Sequence, residues 1–220
     1  MKPPAHARTR IFSREHYATG YERSNANMRI PITRHGWPQV IVFPAALLAA
    51  MIVLALGTIA VLPLWAVVLS ETALAGVLVW VLMFFRDPER LCPSQPELLL
   101  APADGRITDI ETVNEDGFIG GPALRSGIFL SIFNVHVNRA PCNVRVETIT
   151  YKKGKHLNAM NPQSGRLNES NDLGLVRTNS PADRLIVRQI SGAIARRIVC
   201  ATAEGRESVS YTHLTLPTMQ

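Results

Sequence analysis

Cysteine is scarce and scattered in this 220-residue chain: Cys92, Cys142 and Cys200 are an odd number, with no C-x-x-C pair among them. That pattern excludes a disulfide framework and a cysteine-based zinc site, and the histidines show no metal-ligand spacing, so no metal is expected. Free thiols in a reducing cytoplasm are the prediction. Internal repeats and low-complexity tracts are also missing. Charge is nearly absent from one long stretch: between Val40 and Phe85, Glu71 is the only charged residue. A spanning helix needs roughly 20 apolar residues, so this run predicts two, with Pro63 in "VLPLW" at the turn. It is too long and too internal for a signal peptide. The competing reading is a helix pair buried in a soluble core.

Charge is concentrated where the apolar run is not. Lys2, Arg8, Arg10, Arg14, Arg23, Arg29 and Arg34 precede it against Glu15 and Glu22, which is most of the chain's formal +6. Arg86 and Arg90 follow it. Basic flanks mark the cytoplasmic side of a membrane, so both ends of the run are predicted on that side, as a hairpin. The basic residues then serve topology and attraction to anionic lipids. Nucleic-acid binding is the weaker reading, because no nucleic-acid motif surrounds these arginines.

The chain divides accordingly. Residues 1–29 are a polar, basic extension without periodicity. Residues 30–90 hold the membrane-anchoring hairpin, closed by "FFRDPERLCP", where two aromatics meet charges and prolines that stop a helix. Residues 91–207 carry β signals. "LLLAPADGRITDIETV" reads as strand, tight turn at Ala103-Asp104-Gly105, and strand. "SGIFLSIFNVHVNRAP" and "CNVRVETITYKKG" read as the next two, residues 157–173 as a polar loop, and "GLVRTN" and "DRLIVRQISGAIARRIVCA" as the last, broken at Gly192. The predicted class is α+β: a transmembrane helical hairpin, then a mostly-β barrel or sandwich.

Within "SIFNVHVNRAP" a strand-like alternation carries Ser131, Asn134, His136, Asn138 and Arg139 on its polar positions. Each residue alone has a plain role. Asp104 suits a D-G turn, His136 suits a hydrogen-bonded structural histidine, and Arg196-Arg197 suits a solvated edge. The set is more telling. "FFRDPER", "PADGRI", "FNVHVNRAP", "GKHLNAMNPQSGRLNESN" and "QISGAIARRIVC", in this order and spacing, resemble the short bacterial phosphatidylserine decarboxylases, from about Ile30 to Ala201.

That resemblance implies an enzyme of phospholipid synthesis at the cytoplasmic face of a bacterial inner membrane. It implies no added cofactor and no metal. A serine after a glycine cleaves its own backbone and becomes a pyruvoyl group, which takes the substrate amine as a Schiff base and accepts the electrons released with carbon dioxide. A hydroxyl needs a base held by a third group. The family's base maps onto His136 and its orienting carboxylate onto Asp104. Asn134, Asn138 and Arg139 are then expected to support the site or meet the lipid phosphate. Some members carry a second histidine where this chain has Phe133. The implied partners are the phospholipid and its membrane, anionic lipids near the N-terminus, and the family's own C-terminal α-subunit. Preference between phosphatidylserine and archaetidylserine is left open.

The pattern departs from the family late. None of the 14 glycines is followed by serine, and Ser208 and Ser210 follow glutamate and valine. The expectation is a proenzyme truncated before its self-cleavage site, inactive as it stands, with residues 208–220 an artefactual tail foreign to the family; a genuine divergent tail is the alternative. The rival function, from another class, is a non-catalytic membrane-anchored β-domain that binds lipid head groups or a protein partner.

Overall fold

A computed structural model describes residues 37–90, 93, 95, 97–179, 182–210 and 212–218. The basic extension 1–29, Arg34 and Cys92 lie outside the described residues. Helix α1 (Trp37–Thr58) and helix α2 (Leu64–Phe84) flank the predicted turn. Pro63 caps α2 from an extended conformation at φ −65°. Proline suits a helix start because the N–H it lacks would have no partner there. At the end of α1 the Thr58 hydroxyl donates to the Leu54 carbonyl at 2.6 Å, and Leu62 N–H returns to the Thr58 carbonyl at 2.8 Å. Both helices are long and apolar enough to cross a bilayer. Their outward side chains are bare, with Val53 70 %, Leu56 75 % and Trp65 70 % exposed, a surface that lipid rather than water would solvate.

The helices run antiparallel. Val40, Phe43 and Leu47 near the start of α1 pack on Trp80, Val81, Phe84 and Phe85 at the end of α2. Arg86 then closes α2: its Nη1 donates to the Met83 carbonyl at 2.9 Å, placing a cation at the negative end of the helix dipole.

Among the described residues the strands fall into three sheets. Strands β1 (Arg106–Glu115) and β2 (Gly121–Phe129) form an antiparallel hairpin. Its loop is organised by Glu115, whose carboxylate accepts the N–H groups of Phe118 at 2.9 Å and Ile119 at 2.7 Å. Strand β3 (Asn138–Arg139) pairs with β9 (His213–Thr218), which pairs with β7 (Arg197–Cys200). Strands β4 (Val144–Lys152), β5 (Ser170–Arg177), β6 (Arg184–Ile190) and β8 (Glu207–Ser208) form the third sheet in the order β6-β5-β4-β8. The core lies on this sheet, where Val144, Val146, Leu173 and Leu175 are fully buried with Ala140 and Leu214.

Four expectations change. Among the described residues the sheets do not close into a barrel: β1 and β2 pair only with each other there, and β3 and β8 are two residues long. "SIFNVHVNRAP" is not a strand beyond Asn138–Arg139. The Asn134 side chain accepts the Ser131 N–H at 2.8 Å, which helps to hold 131–134 as a turn, and Val135–Val137 joins no strand ladder. The residues before Asp104 are not a strand either. The loop at 157–173 also holds a short helix, α3 (Ser164–Leu167), and the first residues of β5.

Candidate active site around His136

His136 stands between two fully packed valines, Val135 and Val137, against which Val199 of β7 rests. Burial is deep for a histidine, at 8 % exposure. Its ring lies on the Phe84 ring with centroids 4.3 Å apart and planes 26° from parallel. Phe84 is itself 2 % exposed and meets Phe85 edge-on at 5.3 Å. The final turn of the apolar hairpin therefore forms one wall of the histidine's pocket. Arg86 reinforces it: beyond capping α2, its Nη2 donates to the Phe133 carbonyl at 2.7 Å, three residues before the histidine.

The hydrogen bonding fixes the tautomer. Nδ1 lies 3.0 Å from the Asn134 carbonyl. A carbonyl can only accept, so Nδ1 carries the proton and Nε2 keeps its lone pair. Burial, foremost, holds the imidazole below the ordinary histidine value; the Asn134 bond opposes this, and the Arg86 charge adds to the lowering. A neutral ring with a bare Nε2 is a base.

Asp104 sits on the neighbouring turn. The loop leading to it is laced to the segment after His136: Arg139 N–H donates to the Pro102 carbonyl and Leu100 N–H to the Pro141 carbonyl, each at 2.8 Å. Gly105 is required behind it, because a Cβ there would meet the Phe129 carbonyl oxygen at 2.5 Å and Ile128 Cγ2 at 2.7 Å. The carboxylate Oδ2, however, is taken by Arg90. Among the described residues no hydrogen bond joins Asp104 to His136; the acceptor on Nδ1 is the Asn134 carbonyl.

The remaining expected residues lie on either side of His136 in the chain. Asn134 shapes the turn and supplies that carbonyl. Asn138 is 7 % exposed in β3. Arg139, 5 % exposed, donates through Nη2 to Asp87 at 2.7 Å and to the Pro88 carbonyl at 2.9 Å, tying β3 to the end of the hairpin. Phe133 is 62 % exposed. No group of acidic, histidine or cysteine side chains that could hold a metal is found among the described residues. Sequence reasoning missed Phe84, Arg86 and Arg90 as parts of this site, although all three lie in "FFRDPER", a motif it had singled out.

Comparison with known proteins agrees with the motif pattern. The family model described as "Phosphatidylserine decarboxylase" matches residues 77–210. A "Phosphatidylserine decarboxylase proenzyme" of Symbiobacterium thermophilum is 41 % identical over 181 residues, covering 82 % of this chain and 77 % of that protein. One of Azorhizobium caulinodans is 39 % identical over 179 residues, covering 80 % and 70 %. One of Desulfotalea psychrophila is 46 % identical over 119 residues, covering 54 % of this chain and 55 % of that protein. The matched region contains Phe84, Arg90, Asp104 and His136 and ends before β9.

Proposed function

This chain belongs to the phosphatidylserine decarboxylase family, and from that premise we propose that it is the base-carrying part of a carboxy-lyase that converts phosphatidylserine to phosphatidylethanolamine and carbon dioxide. One observation carries the reading: a buried histidine whose Nδ1–H is fixed by a backbone carbonyl, so that Nε2 is a base at neutral pH. In the proposal His136 Nε2 takes the proton from an attacking hydroxyl, Phe84 keeps water off the opposite face, and the Asn134 carbonyl stabilises the charged ring as it forms. Asp104 keeps the role that the resemblance gives it, as the carboxylate that steadies the imidazolium, with Oδ1 as the oxygen assigned to that task because Oδ2 serves Arg90. Asn134, Asn138 and Arg139 frame the site.

The pyruvoyl precursor does not fit the residues present. No glycine precedes a serine, and Ser191, which stands before Gly192 in the reverse order, is 2 % exposed. These 220 residues thus supply a base and no precursor of the electron sink. The proposal places residues 30–90 in the membrane and 91–207 on the cytoplasmic face of a bacterial inner membrane, with the basic N-terminus against anionic lipid and a C-terminal α-subunit as partner. The test is product formation: membranes holding this chain with the family's Gly-Ser segment placed after Cys200 should release carbon dioxide from carboxyl-labelled phosphatidylserine, and His136→Ala in that chain should not. Equal release by both proteins would remove His136 from the reaction.

A further inference from the structure

Away from His136, an open cleft of about 520 Å³ is lined by Tyr151, His156, Glu169, Arg196 and Arg197. None of them has a part in the reaction above. They come together from the end of β4, the loop after it, the residue before β5 and the turn into β7. The His156 ring is held at both nitrogens: Nδ1 lies 3.1 Å from the hydroxyl of Ser191, and Nε2 lies 3.8 Å from the Glu169 carboxylate. Ser191 is fixed in turn, its N–H donating to the Glu169 carbonyl at 2.8 Å and its carbonyl accepting from Asn168 Nδ2 at 2.8 Å. A serine, a histidine and a glutamate in a row invite a hydrolase reading. Ser191 is 2 % exposed, so its hydroxyl is an anchor for the ring and not a nucleophile.

The charges point to a ligand. Arg196 uses Nε on the Ala193 carbonyl at 2.9 Å, and among the described residues neither Arg196 nor Arg197 has an ion-pair partner. Two arginines lining one cleft supply guanidinium donors that match the oxygens of a phosphate. A bare phosphate would also face Glu169, which repels it. A phosphodiester that carries an ammonium group satisfies both signs. The location agrees: Ala195, beside the two arginines, packs on the Val81–Phe84–Phe85 cluster at the end of the apolar hairpin, and Val199 packs on the valines flanking His136.

We propose that this cleft seats the head group of an amino-phospholipid, with the phosphate on Arg196 and Arg197 and the ammonium on Glu169, held in place by the Ser191-anchored His156. The identity of the lipid rests on the family reading; the charge pattern does not. Binding by the 220-residue chain in maltoside micelles, followed by titration calorimetry, needs no pyruvoyl group and so succeeds or fails independently of decarboxylation. The probes are glycerophosphoethanolamine and inorganic phosphate. The diester should bind saturably and more tightly than phosphate. Arg196→Ala with Arg197→Ala should weaken it about tenfold or more, the loss expected for charge-assisted hydrogen bonds. Both arginines are exposed, so the variant should keep the parent's circular dichroism; Arg197→Gln alone serves as a milder second variant. Arg125→Ala on β2 should leave affinity unchanged. Glu169→Gln should narrow the gap between the two probes. Equal affinity for phosphate and diester, both lost with the arginines, would mark a free-phosphate site and overturn the ammonium contact. No binding of either probe, or full affinity in the folded arginine variants, would overturn the proposal.

Discussion

Replacing Phe84 by alanine should free His136. The ring of Phe84 covers one face of the imidazole at a centroid distance of 4.3 Å, and both residues are almost fully buried. Truncating a buried phenylalanine costs about 3–5 kcal/mol of stability, of which the stacked pair itself accounts for about 0.5–1.5 kcal/mol. Phe84→Leu refills most of the volume and separates the ring's effect from the cavity's. Burial is the main reason that the imidazole titrates below its ordinary value. Admitting water therefore raises the midpoint, each unit of recovery corresponding to about 1.4 kcal/mol. The sign for stability follows. With a folded value below the unfolded one, the unfolded chain binds the proton more readily. The parent should therefore lose stability as pH falls below the unfolded histidine value and keep it above. The assay is nitrogen-detected titration of ¹⁵N-histidine chain in micelles. His136 should show the Nδ1–H pattern and a midpoint below that of a solvated histidine, rising in Phe84→Ala and less in Phe84→Leu. A His136 midpoint at or above the ordinary value, or one unmoved by Phe84→Ala, would refute the reasoning.

Other outcomes follow from named contacts. Arg139→Met removes a buried guanidinium from the Asp87 carboxylate, the two side chains being 7 % and 15 % exposed; breaking one side of such a pair costs about 3–5 kcal/mol, read as a lower unfolding midpoint, and Asp87→Leu in the same chain should recover part of it. Asn168→Ala removes the side chain that satisfies Leu157 on both backbone groups and Ser191 on its carbonyl, a loss of about 2 kcal/mol or more, visible in chemical unfolding. Arg86→Gln removes a cation that disfavours protonation of His136, so the histidine midpoint should rise while α2 frays at its end. With native cysteines replaced, single cysteines at Gln39 and Pro88 should be labelled from the same side of the membrane in oriented vesicles; opposite accessibility would rule out the hairpin.

Much of the architecture was legible because long apolar runs and clean alternation are strong signals. Two helices around Pro63 follow from a stretch with one charge. Strand β4 follows from the alternation of Val144 and Val146 with Arg145, and β6 and β7 from the two halves around Gly192. The misses share a cause. Alternation around Val135 and Val137 reports burial, not a ladder: their neighbours find partners in a turn and in the Pro102 carbonyl. Closure of a barrel depends on strand lengths and pairings that periodicity does not encode. For the proposed site, motifs single out His136 and Asp104 but do not reveal their immediate partners. Asp104 meets Arg90 across 14 residues, and His136 meets Phe84 with the whole β1–β2 hairpin between them in the chain. The Ser191–His156 contact spans 35 residues, and no spacing rule joins them. The segment 208–220, read as foreign to the family, contributes β9 between β3 and β7, with Leu214 in the core, and the family match stops at residue 210.

The central claim, a base at His136 without the serine it serves, is tested most directly by the chain length after purification. The 220-residue chain should run as one uncut band and show no ketone reactive toward hydroxylamine. The same chain with the family's Gly-Ser segment placed after Cys200 should split into two subunits, and His136→Ala in it should hold it whole. Cleavage of the chain as it stands, or cleavage of the extended chain without His136, would contradict the account.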